Sequence, residues 1–300
     1  MERRHQIDLF GASLLVAFSA LLGLNQVMVK LVNAGMHPVF QAGLRSACAF
    51  LPVLLFALLM RRRISISDGS FWPGIVVGLL FAFEFVLLFS ALDWTTVARA
   101  SIFFYTMPLW VALAAHFLVP GERLTVPRVC GLLAALLGVL LALGYNDSPA
   151  SPLALWGDVL CLVAAMAWAA IAIISRVTAL SRARPEMQLL YQLGVSAPLL
   201  LILAPFVGEI WREPTPMIWA IFTFQVLIVV SVGFLTWFWV LSIYPASDMA
   251  AFSFLAPVFG VLFGWLILDE RLGANVVGAL LLVALGIVLV NRRQRPLPAD

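Results

Sequence analysis

The chain has 300 residues, of which 63% are hydrophobic and only 11% charged, and its mean hydropathy is +1.06. Soluble domains carry charge on about a quarter of their residues, so lipid must be the solvent for most of this chain. The net charge of +3 comes from basic residues at the ends of apolar runs, which is topology signalling and excludes a nucleic-acid footprint.

The N-terminus, MERRHQIDLFGASLLVAFSA, starts basic and continues apolar like a signal peptide. Its run extends to Leu24 and nine similar segments follow, so it is expected to stay as a first span. A hydrocarbon core about 30 Å thick needs about twenty apolar residues per helix. In chain order, spans are predicted near 9–31, 39–59, 71–92, 97–118, 126–144, 153–176, 187–208, 217–241, 246–268 and 274–291. Hydrocarbon leaves no backbone group unpaired, and the alternation of a barrel is absent, so these are expected to be helices. Cys48, Cys130 and Cys161 lie inside apolar runs without CxxC spacing and are expected to be buried free thiols.

With the N-terminus inside, inner ends and loops receive 13 of the 18 basic residues, and only Lys30, Arg45, Arg99, Arg212 and Arg271 remain on the outer side. Both termini are therefore expected in the cytoplasm. The chain also repeats itself. Gly11, Lys30, Pro38 and Arg45 correspond to Gly157, Arg176, Pro185 and Gln192, and TMPLWVALAAHFLVPGERL corresponds to LAPVFGVLFGWLILDERL, all at offsets of 146 to 149 residues. The expected fold is an all-α membrane protein of ten helices, with one five-helix copy in residues 1–150 and the other in 151–300. Five is odd, so the copies enter the membrane in opposite directions, an arrangement many secondary carriers use for alternating access around a midplane site.

The order of these features, LLGLNQVMVKL, Pro38, Arg45, a helix entering Pro108, GERL and its echo DERL, resembles the EamA-type transporters of the drug/metabolite transporter superfamily. Length, the abundance of Trp and Phe, and the LDER loop are most similar to its YddG-type aromatic amino acid exporters. The resemblance implies a bacterial inner-membrane carrier and an export direction. It also implies amphipathic cargo, aromatic or hydrophobic amino acids first among it.

The stretch LLFAFEFVLLFS, residues 79 to 90, sets Glu84 in mid-span. Charge there costs about 2.5 to 3.5 kcal/mol on insertion scales, so Glu84 is expected to avoid lipid. Arg45 lies at similar depth in span two. Three states stay open: a structural ion pair with Arg45, a protonated acid inside the bundle, or a group facing a wet cavity that meets cargo or protons. In the last case the chemistry suits a zwitterion, with the carboxylate taking an ammonium, a guanidinium taking a carboxylate and aromatic rings taking the side chain. Asn25 and Gln26 would add neutral donors and acceptors, although helix-to-helix hydrogen bonding explains them equally.

Trp94, Trp110, Trp156, Trp211 and Trp219 suit an interfacial belt, whereas Trp168, Trp237 and Trp239 lie deeper and Tyr105 sits mid-span. Pro108 and Pro257 are repeat mates that free the carbonyls of Phe104 and Ser253, either as symmetric kinks beside the site or as kinks rescued by Ser and Thr hydroxyls. Gly74–Gly78 and Gly260–Gly264 have GxxxG spacing for close packing within the bundle. Substrate-binding candidates are thus Asn25, Glu84, Tyr105, Trp168, Trp237 and Ser253, with Arg45, Pro108 and Pro257 as structural or gating residues.

No hydrolase or nucleotide motif and no metal-ligand cluster is present, and the single lysine, Lys30, is not in a Walker loop. The expectation is a non-enzymatic carrier without cofactor or metal, with a small-molecule substrate, a lipid surround and a monomer as the working unit. The rivals are a broad drug or metabolite exporter with Glu84 coupling protons, and a lipid-active membrane protein.

Overall fold

The computed structural model describes residues 8–61, 64–119, 124–143, 153–233, 236, 240, 252 and 255–290. Its helices are α1 (Leu9–Asn33), α2 (Pro38–Leu59), α3 (Phe71–Trp94), α4 (Val97–Phe104), α5 (Met107–Leu118), α6 (Val126–Leu143) and α7 (Ala154–Val177). A 3-10 turn (Ala179–Arg182) leads to α8 (Pro185–Val207), then come α9 (Pro216–Phe224), a π-helical segment (Gln225–Gly233), α10 (Leu255–Leu268) and α11 (Ala274–Val290). Seven stretches are long and apolar enough to cross a membrane, counting α4 with α5 and α9 with the π segment as one each, and α6, α10 and α11 are shorter apolar helices. The only β-pairing among the described residues is an isolated bridge between Met36 and Trp211.

Starts follow from local chemistry. Asp8 caps α1 by accepting from Gly11 N, Thr96 caps α4 by accepting from Arg99 N, and proline opens α2, α8 and α9 where no amide partner is needed. The largest helix pairings, α6 with α11, α3 with α7, α2 with α8 and α1 with α10, each join the first half of the chain to the second. Small residues allow this close approach. A Cβ on Gly131 would lie 2.7 Å from Gly286 O, and one on Gly78 would lie 2.5 Å from the Val195 side chain. The GxxxG pairs therefore pack inside the bundle, Gly74 and Gly78 on α8, and Gly260 against Gly23 of α1 and Ser101 of α4.

Three expectations change. Span four is two helices, because α4 ends at Phe104 and α5 restarts at Met107 with Pro108 in its first turn. The Thr106 hydroxyl takes the Phe103 carbonyl at 2.6 Å, so the break is rescued by a side chain. Span eight turns π-helical at Gln225, and Ser231 Oγ donates to the carbonyl of Val226, five residues back, at 2.9 Å. Cys130 is exposed and Cys48 half-buried, so only Cys161 is a buried thiol. Residues 234–235, 237–239, 241–251 and 253–254, with the expected site residues Trp237 and Ser253, lie outside the described residues, as do Glu122 and Arg123 of the GERL loop.

The turns at 34–37, 95–96, 208–215 and 269–273 gather at one end of the bundle, termed the upper end. There His37 N donates to Ile210 O and Arg212 N to Gly35 O, both at 2.9 Å, and the Phe40 and Trp211 rings meet edge to face at 4.9 Å.

Candidate functional site

Between the two halves lies a cavity of about 480 Å³, lined by side chains of α1, α2, α3, the α4–α5 junction, α7, α8, the π segment and Ala256 of α10. That volume suits a single small-molecule ligand. Most of the wall is apolar. Phe81, Phe85 and Phe89 recur every four residues on α3, so they share one face; the Phe81 and Phe85 rings are tilted by 40° at 4.0 Å between centroids, and the Phe85 and Phe89 rings stack at 5.0 Å. Phe18 of α1, Phe104, Tyr105, Trp168 of α7 and Phe252 add to the aromatic lining.

Two charges interrupt this wall. Glu84 and Arg45 both line the cavity and are 2% and 6% exposed, yet no ion pair joins them among the described residues. Glu84 Oε2 and Arg45 Nε are both without a hydrogen-bond partner. The guanidinium carbon of Arg45 instead lies 5.5 Å from the Phe85 ring centroid and 5.6 Å from that of Phe89. Cation–π contact of this kind contributes about 0.5 to 2 kcal/mol, which helps hold the cation without consuming its donors. Of the three states left open for Glu84, the structural ion pair with Arg45 is therefore not the one seen, although both residues face one cavity.

Neutral polar groups stand beside them. Asn25 lines the cavity with its Oδ1 unpartnered, and Gln26 accepts from Ser101 Oγ at 2.6 Å while its Nε2 is unpartnered. Tyr105, at the α4–α5 break, is buried on the same cavity with Pro108, so the interrupted helix faces the cavity. Pro257 is buried in the first turn of α10 beside the lining residue Ala256 but is not itself part of the wall. Among the described residues no group of three or more His, Cys, Asp or Glu side chains forms a metal centre.

A second polar cluster closes the upper end. Arg99 Nε donates to both oxygens of Asp158 at 3.2 and 3.0 Å, and Arg99 Nη2 also contacts Asp158. Thr95 Oγ1 donates to Asp158 at 2.7 Å, Arg99 Nη1 to the Ala142 carbonyl at 2.9 Å, and Lys30 Nζ to the Thr95 carbonyl. Glu270, from the DERL loop, accepts from Val97 N at 2.7 Å and Ala98 N at 2.9 Å, and so caps α4 from the other half of the chain. Arg212 reaches both oxygens of Asp93 at 2.9 and 2.8 Å. Sequence reading missed Asp158. The available signal was an acid inside span six near the same end as Arg99. It also missed the i, i+4 spacing of the three phenylalanines.

The EamA-like transporter family model matches the chain twice, over residues 9–144 and 155–292. The chain belongs to the EamA-like transporter family. It is a multi-pass membrane transporter, and its relatives carry names of transporters rather than enzymes. This EamA-like transporter is 26% identical over 281 residues to an uncharacterized transporter, YoaV, of Bacillus subtilis, covering 92% of this chain and 94% of the relative. It is 28% identical over 275 residues to a probable amino-acid metabolite efflux pump of Escherichia coli, covering 87% and 88%. A solved crystal structure shares its fold at a TM-score of 0.66 and 22% identity, covering 93% of this chain and 95% of that one. The double match of the family model accords with the duplication read from the repeated sequence.

Proposed function

We propose that this EamA-like transporter exports small amphipathic metabolites, aromatic or hydrophobic amino acids first among them, by alternating access around the central cavity. The observation that carries this reading is the pairing of Glu84 and Arg45, unjoined to each other, with an aromatic wall in one cavity. A carboxylate and a guanidinium left with free acceptors and donors in a low-dielectric pocket complement the ammonium and carboxylate of a zwitterion. The row of Phe81, Phe85 and Phe89 rings, with Trp168, complements an apolar or aromatic side chain. The name of the Escherichia coli relative, a probable amino-acid metabolite efflux pump, supports amino-acid metabolites as cargo and the outward direction.

In this reading residues 1–150 and 151–300 are the inverted five-helix copies, and the cavity between them is the shared passage. The upper end, with Lys30, Arg99 and Arg212 held by acids and carbonyls, faces outward, while Arg61, Arg128, Arg176, Arg182 and Arg184 lie on the cytoplasmic side with both termini of an inner-membrane protein. Tags at the two termini test the orientation, and their appearance on opposite faces would defeat it. The cargo is tested by counterflow of labelled L-phenylalanine in proteoliposomes. The expected result is exchange that unlabelled tryptophan and leucine suppress and glutamate does not. Arg45→Ala is expected to weaken phenylalanine exchange at least tenfold, the scale of a lost charge-assisted contact. Equal inhibition by all amino acids, or exchange unaffected by Arg45→Ala, would defeat the assignment.

A further inference from the structure

We infer that Glu84 is an exchange site occupied in turn by a proton and by the ammonium group of the cargo, so that the carrier is a proton antiporter. The inference rests on the amino-acid reading above and adds what drives transport. It starts from a contrast among the acids inside the bundle. Asp158 is held by Arg99 and Thr95, and Glu270 by two amide N–H groups, whereas Glu84 Oε2 has no partner at all.

Groups facing Glu84 from the surrounding helices do not supply the missing cation. From α2 comes Arg45, which acts on Glu84 electrostatically without hydrogen-bonding to it and rests on Phe85 and Phe89. The polar lining residues of α1 are the neutral Ser19, Asn25 and Gln26, and Lys30 is engaged at Thr95. At the α4–α5 break stands Tyr105, and Arg99 of α4 is held by Asp158 of α7. From α7 the lining groups are Trp168 and Ala172, and α8 offers Leu189 and Leu193, its Tyr191 being hydrogen-bonded to Ser70.

An ionised carboxylate in that setting requires a proton or a cation, and one acid cannot hold both. Mutual exclusion is the coupling. When cargo enters from the cytoplasm, the ammonium displaces the Glu84 proton, which leaves to water on that side. After the loaded carrier reorients, cargo departs outward and the carboxylate takes a proton from the outer solution. The protonated empty carrier then returns. Each cycle moves one zwitterion out and one proton in, with no covalent change.

The test uses the full chain in proteoliposomes with the membrane potential clamped and L-phenylalanine as the probe. Vesicles at about pH 6.5 inside and about 7.5 outside hold a tenfold proton ratio and are expected to accumulate phenylalanine by up to about tenfold. Glu84→Gln is expected to show no accumulation under the same gradient. An independent measurement needs no variant: phenylalanine added to the wild-type protein in weakly buffered detergent should release protons. Phenylalanine counterflow without gradient-driven accumulation or proton release would overturn the antiport and leave the amino-acid reading standing. Gradient-driven accumulation by Glu84→Gln would overturn the role of this residue. Absence of any wild-type phenylalanine counterflow would remove the amino-acid reading and the antiport together.

Discussion

Asp158 and Glu84 are both carboxylates enclosed in the same bundle, at 1% and 2% exposure, yet their surroundings are opposite. Asp158 receives a guanidinium and a hydroxyl, and these contacts join the two halves of the chain at the upper end. Glu84 faces a cavity in which its counter-charge rests on two phenyl rings. Burial alone therefore does not mark an acid as functional or structural. What separates the two is whether the protein itself supplies the hydrogen bonds.

The contrast is broken most severely by removing one charge from the satisfied pair. Asp158→Asn leaves Arg99 buried opposite a neutral amide, and breaking one side of a buried ion pair costs about 3–5 kcal/mol. The midpoint of thermal unfolding in detergent is expected to fall by on the order of 10 °C. A double change, Arg99→Leu with Asp158→Leu, removes both charges together and is expected to recover most of that loss. An Asp158→Asn protein as stable as the wild type would show that the cluster does not fasten the halves.

A smaller loss is expected from Glu270→Ala, which strips the acceptors from Val97 N and Ala98 N at the start of α4. Loss of a helix cap costs about 0.5–2 kcal/mol, and Glu270→Gln, which keeps one acceptor, should cost less. Both are checked on the same unfolding scale. Equal stability of wild type and Glu270→Ala would mean that water replaces the carboxylate there.

Glu84→Gln sharpens the comparison from the other side. Glutamine keeps the shape of a carboxyl group whose Oε2 no protein donor satisfies, so stability is expected to change by less than about 1 kcal/mol, or to rise. Its effect belongs to transport. A destabilisation as large as that of Asp158→Asn would place Glu84 among the structural acids after all.

How much of this was legible in the chain depends on dimension. Span positions follow from one-dimensional hydropathy, and the observed α2 (Pro38–Leu59) and α11 (Ala274–Val290) lie within a residue of the expected 39–59 and 274–291. Depth along a span is also one-dimensional, so sequence sets Glu84 and Arg45 at one level, and both line the one cavity. Azimuth is not. Whether two side chains at one depth meet depends on which way each helix face turns, and here Phe85 and Phe89 take the guanidinium instead. The same limit hid Asp158 and Arg99, which come from α7 and α4 and share a level and a face. The α4–α5 break was hidden for another reason, since Thr106 repairs it and both pieces keep the hydropathy of one span.

The smallest expected effect sits at the upper end, outside the hydrocarbon. His37 precedes α2 and its Nδ1 accepts from Val39 N at 3.3 Å, a role that only neutral imidazole can fill. Burial first, and then the positive charge of Arg212, hold His37 below its ordinary value of 6.5, with Asp93 opposing them. The unfolded chain then binds more protons than the folded one as pH drops through and below that ordinary value. Its contribution to stability is thus complete above it and is lost as pH falls toward the lowered folded value. His37→Asn keeps a side-chain cap and removes the titration. The wild-type unfolding midpoint should therefore fall more steeply than that of the variant between about pH 7 and pH 5. Identical slopes would show that other groups at this end control its response to acid, and the upper fastening would then depend on its ion pairs alone.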